Sequence, residues 1–558
     1  MRTLAFFLLA CASANLGAED AVTIRVNAAE AVDHFRPILS YFGYDEPNYT
    51  YMPNGRKLIA ELAGSAYVPV YIRTHFLLAT GDGTPALKWG STNAYTEDAS
   101  GQPVYDWTIT DRIFDTYLRA GARPFVEIGF MPEALSSKPA PYHPVWAPGA
   151  GFDRYYTGWS YPPKDYAKWA GLVHRWVLHC VDKYGRAEVE SWYWEVWNEP
   201  DISYWHGSPE DYDKLYDYTA DAVKRALPGA KVGGPASTGP AAPRAANFLR
   251  QFLEHCSNGR NHVTGETGAP LDFISYHAKG RPSVVEGHVR MGIAKNLEDV
   301  QRGFEIVSAF PKFRSLPVIL SESDPEGCAA CSARLYPQNA YRNGPLYPAY
   351  TAVMLKNILE LAGRARANIE GMLTWAFEFE NQPYFDGLRT LATNGIDKPV
   401  LNLFRMAGLM RGERVRVDSS GSVPLNTILS NGVFGSPDID ALAARNGQEI
   451  SVLAWNYHDD DVPAPDARVQ LRIAGIPGTA ARVLVRHYRV DRNHSNACTL
   501  WQRLGSPQEP TPEQYAALEG AGQLQQLESP RWIESRGGEA DLDFTLPREG
   551  VSLVQVVW

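Results

Sequence analysis

The feature that most restricts this chain is a repeated alternation in which short apolar runs are separated by longer amphipathic segments. Eight such runs follow one another from Ile38 onward: Leu39 to Tyr44, Val68 to Thr74, Arg123 to Gly129, Trp192 to Trp197, Lys231 to Gly234, Asp272 to Tyr276, Val318 to Glu322 and Met372 to Ala376. Runs this short and apolar suit strands buried on both faces, and parallel strands of that kind need a helical crossover between them. The crossovers carry helix signals. In Ser208-Pro209-Glu210-Asp211, Ser208 can cap, Pro209 fits the first helical position and the acids face the positive end of the helix dipole. Between Pro163 and Gly185, Tyr166, Trp169, Val173, Trp176, Val177, Cys180 and Tyr184 recur at spacings of three and four, giving a helix with one buried face. The last helix of the series is expected near Val400 to Leu409.

Eight βα repeats without a Gly-rich phosphate loop predict an α/β fold, a closed (β/α)8 TIM barrel over residues 38–412, rather than an open dinucleotide-binding sheet. Beyond Gly412 the pattern changes to short alternating runs, Ile450 to Trp455, Ala467 to Ile473, Arg482 to Tyr488, Ala540 to Leu546 and Val551 to Trp558. These predict an accessory C-terminal β-sandwich over 413–558, interrupted by a surface helix within Pro510 to Leu527. Val22 to Val26, inside an N-terminal segment 21–37, is an alternating strand that precedes the barrel and is expected to join that sandwich.

Residues 1–20, with Arg2, the apolar Leu4 to Ala10 and the small Ala12, Ser13 and Ala14, read as a signal peptide, so the protein is expected to be exported, periplasmic or secreted. Leu8-Leu9-Ala10-Cys11 offers lipoprotein anchoring through Cys11 as the alternative. No other stretch approaches the ~20 apolar residues of a membrane span. A net charge of −10 gives no basic footprint for nucleic acid. Of the six cysteines only Cys328-Ala-Ala-Cys331 has the spacing of a local pair, a small disulfide or two plain thiols; no His cluster completes a metal site there.

The stretch Trp194-Glu195-Val196-Trp197-Asn198-Glu199-Pro200-Asp201 shows where chemistry would lie. Pro200 cannot continue a ladder, so Asn198 and Glu199 fall at the carboxyl end of the fourth run, where barrel enzymes keep their active sites. Glu322 ends the seventh run, across the opening of a closed barrel. Either Glu alone could simply cap a helix or pair with an Arg. Two of them across one pocket are what glycoside hydrolysis needs, one protonated for the leaving oxygen and one ionised. A gap of ~5–5.5 Å implies retention of configuration, and ~6.5–9.5 Å implies inversion.

Trp197-Asn198-Glu199-Pro200-Asp201 with Glu322 resembles the glycoside hydrolases that keep an acid/base on barrel strand four and a nucleophile on strand seven, and more narrowly family 39, which contains β-xylosidases and α-L-iduronidases. Further blocks carry the likeness: Phe42-Gly-Tyr-Asp-Glu-Pro-Asn-Tyr, Arg73-Thr-His75-Phe-Leu-Leu, Phe125-Val-Glu-Ile-Gly-Phe-Met-Pro132, Asp272-Phe-Ile-Ser-Tyr-His277 and His494-Ser-Asn-Ala-Cys-Thr-Leu-Trp501. The resemblance implies Glu199 as general acid/base, Glu322 as nucleophile, a retaining reaction, and Asn198 on the sugar 2-hydroxyl. It places His75 and His277 at the pocket that holds the sugar. Trp375, which closes the eighth run, is expected as a stacking platform with core packing as the equal alternative, and Phe130 is expected to line the wall. The resemblance also offers Glu380 to sugar hydroxyls, although the spacing of Glu380 from Trp375 departs from the family pattern. Lys279 and Arg389 resemble iduronidase positions that hold a substrate carboxylate, with neutralisation of Asp324 or Asp386 as the structural alternative. The expected substrate is a small carbohydrate, a xylo-oligosaccharide or related xyloside, and no cofactor is implied because carboxylates suffice. An α-L-iduronidase-like or α-L-arabinosidase activity stands as the alternative, and a sugar-binding barrel without catalysis as a further one. The loops Gly81 to Asp106 and Met131 to Tyr161 favour a walled pocket and attack on chain ends over internal cleavage.

Overall fold

The structure, a computed structural model, describes residues 21–144, 146–149 and 151–558. The expected signal peptide and the Cys11 alternative lie outside them.

Eight parallel strands close into a barrel: Tyr41–Tyr44, Tyr71–Thr74, Arg123–Ile128, Tyr193–Val196, Lys231–Ser237, Phe273–Lys279, Pro317–Asp324 and Asn368–Trp375. Each expected run supplies one of them. Closure is made by the eighth strand on the first, with Leu373 opposite Tyr41 and Trp375 opposite Gly43. Because successive side chains alternate between faces, residues two apart on each strand stack as layers inside the barrel. Tyr41, Tyr71, Phe125, Tyr193 and Phe273 form an aromatic layer, ring against ring. Two residues further along the same strands come Gly43, Arg73, Glu127, Glu195 and Ser275, and two further still Asp45, His75 and His277. The floor of the barrel is therefore apolar and its mouth is polar, as the sequence steps from Tyr to Arg to His along one strand.

The outer helices follow their signals. Ser208 caps the helix Pro209–Ala226 in a reciprocal box with Asp211. Asp165 caps Tyr166–Tyr184, and Trp169 Nε1 donates to Thr219 Oγ1 at 2.8 Å to tie the two helices together. The final helix is Pro399–Gly408.

Apart from three two-stranded pairs, the remaining strands form one nine-stranded sheet in the order Gln525–Glu534, Arg482–Val490, Val551–Val557, Glu449–Tyr457, Asp438–Asn446, Glu413–Ser419, Val22–His34, Ala467–Ala474 and Glu539–Leu546. The N-terminal strand runs on to His34, beyond the expected Val22 to Val26. It lies antiparallel to Glu413–Ser419 and parallel to Ala467–Ala474. One face of the sheet has its own core, including Ile24, Val26, Val452, Leu471, Val483 and Val554. From the other face Leu442, Leu453, Trp455 and Leu553 join the barrel's core, so the sheet is apolar on both sides. Helix Pro512–Gly522 occupies the expected interruption, and the strand Gln525–Glu534 follows it.

Candidate active site

Arg73 is the centre on which the mouth is built. It is fully buried, and its guanidinium meets Glu195 Oε2 at 2.5 Å, Glu127 Oε2 at 2.9 Å, Asn198 Oδ1 at 2.9 Å and Glu322 Oε1 at 3.3 Å. Burial disfavours its charge, but the three carboxylates more than offset that and hold it as a cation. Trp375 lies over the same guanidinium, 5.0 Å from its ring centroid. The close approach depends on Gly43, because a Cβ there would stand 2.5 Å from the Trp375 ring.

Asn198 and Glu199 leave the fourth strand through a strained turn. Trp197 and Glu199 both have positive φ, 69° and 44°, an unusual conformation for residues with side chains. The turn is held by Glu199 N donating to Ala236 O at 2.9 Å and by the buried Asp201 side chain, which accepts from Thr238 N at 2.8 Å. Since Asn198 Oδ1 is already taken by Arg73, its amide NH2 is the end left to donate to a ligand.

His277 Nδ1 bridges the two catalytic candidates, 2.9 Å from Glu199 Oε1 and 3.8 Å from Glu322 Oε2. Those two oxygens can therefore be no farther apart than the two legs laid end to end, which reaches only the lower edge of the ~6.5–9.5 Å range of inverting pairs. Glu322 is also met by Lys279 Nζ at 2.9 Å, and the same ammonium reaches Asp324 at 3.0 Å. Burial works against ionisation of Glu322, yet Lys279, His277 and Arg73 outweigh it and hold the carboxyl down at about 2.

Above this layer is a cavity of about 240 Å3, lined among others by Asp45, His75, Asn198, Glu199, Glu322 and Trp375. His75 is neutral: burial first, then Arg73 and Lys88, push it well below its usual value. Its Nδ1 lies 2.5 Å from Glu127 Oε2, and its Nε2 is 3.3 Å from Asp45 and 3.7 Å from Glu322. Lys88 pairs with Asp45 beside it. Cys328 also lines the cavity and is joined to Cys331 in a disulfide, the first of the two states open to that pair.

Glu199, Glu322, Asn198, His75 and Trp375 thus come together at one cavity, and Lys279 and His277 stand directly behind the carboxylates. The other predicted residues lie elsewhere. Phe130 is fully buried behind His75, packed on Trp159 and Tyr204. Glu380 accepts from Asn54 N at 2.7 Å and does not line the cavity. Arg389 is fully buried too; its guanidinium is engaged by Trp375 O, Glu326 and Asp324 and does not line the cavity either. Besides Cys328, six lining residues escaped the sequence reading: Asp45, Lys88, Phe152, Tyr156, Tyr204 and Gly327. Asp45 stands in the quoted Phe42 to Tyr49 block, two residues beyond Gly43, so its strand register was the signal that could have found it. Among the described residues no group of three or more His, Cys, Asp or Glu could hold a metal ion. Among them, too, no helix is long and apolar enough to cross a membrane.

A closed parallel barrel that sets two facing carboxylates at the mouth ends of its fourth and seventh strands, one held ionised, is the framework of a barrel glycoside hydrolase. The chain belongs to that class: glycosyl hydrolases family 39 matches residues 70–539. Among characterised relatives it is 28% identical to a beta-xylosidase of Geobacillus stearothermophilus over 520 residues, 90% of this chain and 88% of the relative. It is 27% identical to a Caldicellulosiruptor saccharolyticus beta-xylosidase over 458 residues, 80% and 82% of the two chains. A mouse alpha-L-iduronidase matches at 27% over 420 residues, 70% of this chain and 62% of the relative. The fold is shared with a monomeric beta-xylosidase from Caulobacter crescentus CB15, with a TM-score of 0.74 at 23% identity covering 96% and 99% of the two chains.

Proposed function

We propose that the chain is a retaining exo-acting β-xylosidase that removes terminal β-D-xylosyl residues from xylo-oligosaccharides or xylosides by double displacement. The observation that carries the reading is an ionised Glu322 facing Glu199 across one small cavity. In the first step Glu199 gives its proton to the glycosidic oxygen, the bond from C1 to that oxygen breaks, and a Glu322 oxygen forms a bond to C1. In the second, Glu199 takes a proton from water, the water oxygen bonds to C1, and the bond to Glu322 breaks. The free amide NH2 of Asn198 suits the 2-hydroxyl, a contact worth most in the transition state.

Three considerations support a neutral pentose in the pocket. The cavity is smaller than the ~300–1,000 Å3 of sites that take drug-sized ligands, which suits a single sugar ring and attack at chain ends. Lys279 is engaged by Glu322 and Asp324, and Arg389 by Glu326 and Asp324, so the pair that would receive a substrate carboxylate is already neutralised. Two relatives at 27–28% identity are beta-xylosidases. Hydrolysis of aryl β-xyloside, α-L-arabinoside and α-L-iduronide side by side tests the sugar; faster cleavage of the iduronide or arabinoside would replace it. NMR detection of β-xylose as first product tests retention.

We further infer that the enzyme is exported. The Cys328–Cys331 disulfide fits an oxidising compartment, and N-terminal sequencing of the mature protein, expected to begin after residue 20, tests it.

A further inference from the structure

A second cavity, of about 520 Å3, shares Tyr156 with the catalytic one and is walled also by Lys138, His143, Arg154, Tyr161 and His206. Its place relative to the reacting bond follows from Glu199. The group that protonates the leaving oxygen sits beside the leaving group, so ground reached past Glu199 receives what is released. Tyr156 is close enough to Glu199 to feel its charge, and His206 belongs to the segment that follows Glu199 out of the fourth strand.

The chemistry of this second cavity is unlike that of the molecule around it. The chain carries a net charge of −10, yet no Asp or Glu side chain among the described residues lines this space, while Lys138 and Arg154 both do. Neither cation has a carboxylate partner among the described residues; Lys138 Nζ donates to Tyr161 Oη at 3.2 Å instead. Tyr161 stacks on His206 with centroids 4.3 Å apart and planes 14° apart, a flat surface of the kind sugars lie against. His206 is fixed there by its N–H to Ser160 O at 3.0 Å, and burial and Lys138 together keep its ring neutral.

We propose that this cavity is a binding site for an acidic sugar on the leaving-group side: the enzyme cuts a neutral terminal residue from an oligosaccharide whose uronate, further along, is held by Lys138 and Arg154. The inference rests on the glycosidase reading above and specifies the remainder of its substrate. A guanidinium and an ammonium that have no carboxylate partner among the described residues are suited to one carboxylate, and the adjoining rings to the sugar that bears it.

The test uses a xylotriose carrying a glucuronate on the residue farthest from the cleaved end, and the same compound with that carboxyl reduced to the alcohol. The wild-type enzyme is expected to favour the uronate form about tenfold in kcat/KM. The variant Lys138→Ala/Arg154→Ala is expected to lose that preference while cleaving an aryl xyloside at the wild-type rate. Calorimetry of both compounds with Glu322→Ala reads the same contact without turnover. Equal treatment of the two compounds by the wild-type enzyme, or a preference that survives in the double variant, overturns the proposal. Failure of the xylosidase reading looks different: no aryl xyloside is cut, yet Glu322→Ala still binds the uronate form tighter.

Discussion

Glu322 is an anion because of its neighbours, and the neighbours can be removed one at a time. Lys279→Met deletes the ammonium at 2.9 Å, so the carboxyl should lose part of its downward shift. The acid limb of kcat/KM, which reports the free enzyme, is expected to move up by about one pH unit. An unmoved limb would show that Arg73 and His277 suffice. The same shift makes a stability statement. The pKa is depressed from 4.5 to about 2, so the contribution is fully present above 4.5 and is lost as pH falls through about 2. Its size is on the order of 3 kcal/mol, and acid titration of wild type against Glu322→Gln by circular dichroism should show the wild type losing its advantage over that window. For the reaction, Glu322→Ala should abolish hydrolysis, while Glu199→Ala should lose roughly 10²–10⁴-fold on poor leaving groups and far less on activated aryl xylosides. Equal losses on both substrates would remove Glu199 from the acid role. The two carboxylates were legible in the sequence because each ends an apolar run. Arg73 is marked in the sequence only by the Arg73-Thr-His75 block it belongs to. What makes it central, three carboxylates converging from three other strands, exists only once the barrel closes.

At the scale of elements, the eight barrel strands were legible because burial on both faces leaves an unbroken apolar run. The strands missed in the C-terminal part lacked that mark. Asp438–Asn446 is rich in Ala and carries acids at its start, a composition that suits helices as well. Gln525–Glu534 is the sheet's edge, largely exposed, with Pro530 inside it, and an edge strand with no buried face has no period to read. Element boundaries also set the site. Gly43 on the first strand admits the Trp375 ring from the eighth, so Gly43→Ala should push that ring into the sugar's place. An increase of about tenfold or more in KM for aryl xyloside is the expected result, with a lowered thermal midpoint because the same Cβ would stand 2.8 Å from Arg73 O; a normal KM would mean the ring yields elsewhere. The helix that follows Glu199 is anchored by its capping box, and Ser208→Ala should cost about 1 kcal/mol, read as a lower urea midpoint.

In the whole molecule, barrel and sheet share an apolar core. Leu442, Leu453, Trp455 and Leu553 belong to the barrel's cluster, and Arg290 clasps Asp460 through two bonds of 2.6 and 2.8 Å. Separate unfolding of the two parts would expose that interface, so calorimetry should record one transition. A fragment ending at residue 412 should be insoluble or aggregate; a soluble, active fragment would show that the sheet is dispensable. The expected sandwich was legible as a change of period, but its second apolar face was not, because alternation marks one buried side and the barrel covers the other. The N-terminal strand adds a constraint in time. Thr23 bonds to Ser420, 397 residues later, and its other neighbour strand ends at Ala474. This strand must therefore wait, unpaired, until most of the chain exists. Both of its partner strands lie beyond residue 412, so the sheet closes late, and the wait leaves a naked β-strand available to any other chain with a free edge.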